Sequence, residues 1–208
     1  MSLTTSYRPH DGRRVTSVAD TTPEAVRAAV AEAAVAASEL VTTAPAQRRT
    51  WLCSLADSLE KHSEELVALA EEESGLGTQR LTAELQRTAG QLRFYGDVAA
   101  EGSYLGVTID HATETAPHLV RVNRPVGPVA VFGASNFPFA FSVLGNDTAS
   151  ALAAGVSTTG LTVPISANMG MTRSRSLTMR QSASPPACEP VNATASTSGE
   201  RTSWVPAR

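Results

Sequence analysis

Asn136 is the side chain in this 208-residue sequence best placed to do chemistry. It sits in the run PVGPVAVFGASNFPFAFSVLGNDTASALAAG, from Pro125 to Gly155, just after an uncharged apolar segment. A neutral amide donor aimed at a forming oxyanion lowers a reaction barrier by about 3 kcal/mol. An Asn in this position could equally cap a helix that begins near Pro138. Immediately before it, Phe132, Gly133, Ala134 and Ser135 form a turn of mostly small residues, where a main chain can come close to a flat ligand. As a bare pattern such a turn is more often only a loop. Strand, turn and helix in that order present side-chain and backbone N–H groups at the carboxyl end of a buried strand. Open α/β sheets bind nucleotides there.

Other candidate chemistry is sparse. Cys188 lies in Pro185-Pro186-Ala187-Cys188-Glu189-Pro190, an extended context with no device to favour a thiolate. Cys53, close to Trp51 and Leu55, reads as a small buried residue. His10, His62, His111 and His118 lack ligand-like spacing, so no metal site is expected. Neither GxGxxG nor GxxxxGK[ST] occurs.

The elements that must position Asn136 begin far upstream. After a polar N-terminal stretch of about twenty residues, expected to be an extended arm, Thr22-Pro23-Glu24 gives a helix start. That helix should run to about Val41. Pro45 opens a second, with Trp51, Leu52, Leu55 and Leu59 at helical spacing. Ser63 is expected to cap a third, which Gly75 and Gly77 break. Thr78 begins a longer one, striped by Leu81, Leu85, Leu92, Tyr95 and Ala99. All these stripes read as core packing.

From Tyr104 the period changes to two. Leu105, Val107 and Ile109 alternate with small or polar residues, and His118 to Asn123 reads as a returning strand. Two strands alone are marginal in water, so this hairpin over 104–123 should lie on another surface, a partner subunit among the possibilities. Pro128 to Gly133 reads as a strand buried on both faces, followed by a helix from about Phe139 to Ala154 that Gly155 ends.

Composition sets the outer limits. Hydrophobic residues make up 42% and aromatics only 5%, so any core rests on Ala, Val and Leu. The net charge of −3 carries no basic footprint for nucleic acid. Val126 to Gly145 is uncharged, but its Gly, Asn and Pro content argues against a membrane span. With no charged-then-apolar leader, a cytoplasmic setting is expected. Residues 156–208 are different in kind: 17 of these 53 are Ser or Thr, with 5 Pro, 5 Arg and 2 acidic residues. A segment this poor in apolar pattern is expected to be disordered, so the chain divides at 1–155 and 156–208.

The run PVGPVAVFGASNFP together with NDTASALAAG closely resembles the start of the cofactor domain in aldehyde dehydrogenases. It is most similar to the branch acting on ketoglutarate semialdehyde and fatty aldehydes. Upstream, GTQRLTAELQRTAGQLRFYGDVAAEGSYL fits the same branch, and the resemblance covers roughly residues 15–155. It implies an α/β fold: N-terminal helices, a projecting β-hairpin that serves oligomer assembly, and the first strand–helix unit of a Rossmann-like domain. It also implies an aldehyde substrate and NAD or NADP. Asn136 then inherits the oxyanion role within Ser135-Asn136-Phe137-Pro138, and Phe132, Gly133, Ala134 and Ser135 match positions whose main chain approaches the nicotinamide.

The family's cofactor lysine has no counterpart in Val156 to Pro164, and its nucleophilic Cys and general-base Glu have none further on. With one strand of the parallel sheet, unpaired at both edges, the chain is expected to be a truncated and catalytically inactive member. The alternative is a non-catalytic helical and hairpin interaction module that joins a dehydrogenase oligomer.

Overall fold

The fold is that of a computed structural model describing residues 3–161. Of the Ser/Thr-rich segment 156–208, residues 162–208, Cys188 included, lie outside the described residues, while 156–161 are ordered, against the expectation of disorder from residue 156.

Four helices make the body. Helix α1 spans Pro23–Thr42, and the Thr22 hydroxyl oxygen accepts from the Ala25 N–H at 3.2 Å, with Pro23 at the first helical position. Here the cap and the proline act as the sequence indicates. Helix α2 covers Pro45–Lys61, α3 Ser63–Ser74 and α4 Thr78–Glu101. Ser63 is the first helical residue of α3 and not its cap; His62 holds that place without a side-chain capping bond, its Nδ1 being paired with the Ser58 carbonyl at 2.8 Å. The reason is chain economy, because His62 alone separates α2 from α3 and its carbonyl already accepts from the Leu66 N–H at 3.0 Å. Gly75, in the left-handed conformation, ends α3.

Helix α4 is the spine. Leu81, Leu85, Ala89, Leu92 and Ala99 are buried along one stripe and pack with Leu52, Ala56 and Leu59 of α2 and Val67 and Ala70 of α3. Burying each such leucine stabilises the fold by about 1.5–3 kcal/mol. Gly96 lets the two longest-packed helices approach: a Cβ there would lie 3.3–3.5 Å from the side chain and backbone of Arg49. Cys53 is buried in the same core, as expected, but it is disulfide-bonded and not a plain apolar filler.

The N-terminal stretch is not an extended arm. Strands β1 (Leu3–Tyr7) and β2 (Arg14–Ala19) form an antiparallel hairpin, with Leu3 opposite Ala19 and a bulge between Ser6 and Tyr7. Its turn closes through the Arg8 N–H donating to the Arg13 carbonyl at 2.8 Å. The hairpin docks by polar contacts that composition does not advertise. The Ser6 hydroxyl donates to buried Glu73 at 2.8 Å, and Arg8 pairs with Glu72.

The second hairpin is present but shorter than expected, with β3 (Thr108–Asp110) antiparallel to β4 (Leu119–Arg121) and all six residues exposed. Strand β5 (Val129–Phe132) is not alone, because β6 (Thr158–Leu161) pairs with it in parallel, Val129 opposite Thr158. That polar Thr-Thr-Gly-Leu segment carries no apolar strand pattern, which is why the sequence gives no sign of it. Nor is β5 buried on both faces: Val131 is buried while Ala130 and Phe132 are exposed. Helix α5 (Asn146–Ala153) covers one side of the pair. It starts seven residues later than expected, because the segment before it folds back in successive turns. The Phe141 N–H donates to the Phe137 carbonyl at 3.2 Å and the Gly145 N–H to the Ser142 carbonyl at 2.9 Å. Among the described residues no helix is long and apolar enough to cross a membrane.

Candidate active site

Strand β5 ends at Phe132, so Gly133, Ala134, Ser135 and Asn136 leave directly from its carboxyl end. Asn136 is exposed and caps nothing: α5 begins ten residues later, and Gly145 occupies its cap position. Its side-chain amide makes no hydrogen bond within the described residues, whereas its backbone carbonyl accepts from Arg80 Nη2 at 2.6 Å. The Phe132 ring is 58% exposed. Ser135 is exposed too, and the Ala134 N–H is engaged by the Phe141 carbonyl at 2.7 Å. A fixed turn thus presents a free amide and an open apolar face.

The residues that fix this turn come from α4, and sequence reasoning missed them. Glu84 is 6% exposed, and its Oε1 accepts from the backbone N–H groups of Phe139 and Ala140, both at 2.9 Å. Charge-assisted bonds of this kind are about twice as strong as neutral ones. Its second oxygen, Oε2, is buried without a protein partner. The available signal was a carboxylate inside the apolar stripe formed by Leu81, Leu85, Thr88 and Leu92. Acids are almost never fully buried unless they are paired.

Gly145 closes the far end of the loop. A Cβ there would collide with the Ala140 carbonyl, lying 2.7 Å from its carbon, and would sit 2.9 Å from the Phe139 oxygen. The Asn146 N–H donates to the same Ala140 carbonyl at 2.9 Å, and the Thr148 hydroxyl donates to the Val143 carbonyl. Buried Arg48 of α2 anchors the end of α5, donating from Nε to the Ala153 carbonyl at 3.1 Å and from Nη2 to the Tyr104 hydroxyl at 2.6 Å.

Phe137 lies beside Asn136 with two guanidinium groups against its ring. Arg80 is 5.2 Å and Arg87 5.9 Å from its centroid, and the ring meets Phe141 edge-on at 5.4 Å.

A flat ring fits the site on the evidence of its surface. The Phe132 face is open, and a Cβ added at Gly133 would meet only Ser142 Cα, at an ordinary 3.8 Å. A nucleophile is another matter. Cys53 is 4% exposed within α2, among Leu52 and Ala56, and not at the end of β5. His111 and His118 do meet across the second hairpin, ring centroids 5.8 Å apart, a juxtaposition their spacing did not suggest. No cluster of three His, Cys, Asp or Glu able to hold a metal forms among the described residues.

Helices, hairpin and strand–turn–helix define a mixed α/β unit built around a strand-end amide, and its relatives give it a family. The sequence model of the Aldehyde dehydrogenase family matches residues 2–159, and the chain belongs to that family. It is 45% identical over 115 residues to alpha-ketoglutaric semialdehyde dehydrogenase 2 of Azospirillum brasilense, a match covering 53% of this chain and 22% of the relative. It is 43% identical over 120 residues to alpha-ketoglutaric semialdehyde dehydrogenase of Acinetobacter baylyi, covering 55% of this chain and 23% of the relative. The crystal structure of PnpE in complex with nicotinamide adenine dinucleotide superposes with a TM-score of 0.65 at 26% identity, over 77% of this chain and 32% of that one. The chain thus spans less than a quarter of the length of the two dehydrogenases it matches by sequence.

Proposed function

We propose that this chain carries the oxyanion donor and the nicotinamide-facing turn of an NAD(P)-dependent oxidation of a ketoglutarate-type semialdehyde, and that alone it does not turn over. The observation that carries the reading is Asn136. Its amide stands free at the carboxyl end of β5 while Arg80 and Glu84 hold the surrounding main chain.

When a nucleophile adds to an aldehyde carbon, negative charge gathers on the oxygen, and a preorganised N–H there lowers the barrier. The Asn136 amide makes that donation. Phe132, Gly133, Ala134 and Ser135 present the open face for the nicotinamide, and Ala134, its own N–H satisfied, holds the turn's shape. When bound, the nicotinamide accepts the hydride that leaves the aldehyde carbon. What supports inactivity alone is the sulfur: Cys53 is shut in the helical core and disulfide-bonded, so it offers no thiolate, and no other cysteine lies within residues 3–161.

The test is a graft. Residues 125–155 replace the matching stretch of the Azospirillum brasilense relative, and the chimera should oxidise its semialdehyde. Asn136→Ala in that chimera should lower kcat by about 100- to 1000-fold with little change in KM. A chimera indifferent to that substitution would remove Asn136 from the mechanism.

The exposed second hairpin supports a further role. Ile109, Leu119 and Val120 all face solvent, as do Val107 and Val122 beside them. A two-stranded ribbon with this apolar surface gains by lying on another subunit. The chain then acts as an interaction module joining a dehydrogenase oligomer. Copurification with an intact dehydrogenase, lost on Val120→Asp, is the expected outcome.

A further inference from the structure

Two arginines flank the ring next to the oxyanion donor, and neither has a carboxylate partner among the described residues. Arg80 and Arg87 lie seven residues apart on α4, two helical turns, and so share one face. Both are exposed. On the same helix Arg93 shows the ordinary arrangement, held by Asp57 and Glu60 at 2.6 and 2.7 Å. The acid between them in sequence, Glu84, is turned inward, with Oε1 engaged by the Phe139 and Ala140 N–H groups. An uncompensated positive face therefore lies against Phe137, one residue from Asn136.

We infer that Arg80 and Arg87 bind the distal carboxylate of the substrate, and so select aldehydes that are semialdehydes of dicarboxylic acids over uncharged ones. This rests on the reading of Asn136 as the site of the aldehyde oxygen. With the aldehyde end at Asn136, the carbon chain lies along the half-buried Phe137 ring and its far end reaches the guanidinium groups. Arg87 has the freer donors, since Arg80 already gives Nη2 to the Asn136 carbonyl. A planar guanidinium donates two parallel N–H bonds to a carboxylate, a geometry lysine does not reproduce. The Phe137 ring holds both guanidinium groups near its face by cation–π attraction.

The test uses the full 208-residue chain and glutarate, an unreactive five-carbon dicarboxylate, followed by amide chemical shifts and by calorimetry. Glutarate should perturb the amides of residues 136–141. Arg87→Ala should raise its dissociation constant roughly tenfold, Arg87→Lys should recover part of the loss, and Arg27→Ala on α1 should change nothing. An uncharged five-carbon diol should not perturb these amides. Equal glutarate affinity in the wild type and Arg87→Ala, or no perturbation near Phe137 at saturating glutarate, overturns the assignment. The graft measurement above reports separately on Asn136: an active, Asn136-dependent chimera together with a glutarate-blind Arg87 refutes only the carboxylate site.

Discussion

Glu84 and Asn136 are opposites at the scale of single residues. Asn136 is exposed and free, so its loss should change stability by no more than about 0.5 kcal/mol while abolishing the proposed donation. Glu84 is buried and holds two backbone N–H groups. Glu84→Ala leaves both donors unsatisfied and should cost about 2–4 kcal/mol in urea unfolding, whereas Glu84→Gln retains an acceptor and should cost about 1 kcal/mol. Equal losses for the two variants would mean that the contact is packing and not hydrogen bonding. Gly145→Ala, with its Cβ driven against the Ala140 carbonyl, should cost about 1–3 kcal/mol in the same measurement. Asn136 stands out in the sequence because its neighbours on both sides form a specific motif, and its role as donor is the proposal drawn from that motif. Glu84 does not stand out, because its partners lie 55 and 56 residues away and a buried acid in an apolar stripe looks like an interruption until they are seen.

Among the elements, the N-terminal hairpin carries the clearest pH dependence. Burial raises Glu73 from the usual 4.5 to about 7; the Ser6 hydroxyl opposes the rise and the Glu72 charge adds to it. A carboxyl with a raised folded value holds its proton more tightly folded than unfolded. Its stabilising effect is therefore complete below about 4.5 and is lost as pH climbs through 7. Docking of β1–β2 on α3 should weaken over that interval, with a loss of no more than about 2 kcal/mol once solvent screening is allowed for. Thermal unfolding of the wild type against Glu73→Gln between pH 5 and pH 8 checks this. The wild-type curve should fall with pH relative to the variant, and parallel curves would refute it. The four long helices were readable because their apolar periods and their Thr22-Pro23 and Gly75 signals agree with the packing. The first hairpin was not readable, since its polar strands are held by Ser6–Glu73 and Arg8–Glu72 contacts more than sixty residues apart. The late start of α5 was hidden for a similar reason: small and apolar residues from 137 to 145 suit a helix, but Glu84 captures two of their N–H groups for a turn.

For the whole molecule, the parallel pair β5–β6 sets the terms. Within the described residues it has two strands only, Phe132 stands exposed at its carboxyl end, and Val126 just before it is 91% exposed. Short sheets with open edges recruit further strands, so the isolated chain should associate with rising concentration in sedimentation measurements. Phe132→Ser should reduce that association. The same openness bears on catalysis, because the proposed donor at Asn136 faces solvent with no thiol of residues 3–161 in reach. The most direct measurement mixes the purified 208-residue chain with ketoglutarate semialdehyde and NAD or NADP and follows reduced nicotinamide by its absorbance. No aldehyde-dependent rise is predicted with either cofactor; a steady rise that disappears on Asn136→Ala would show that this chain completes the reaction unaided and would contradict the account.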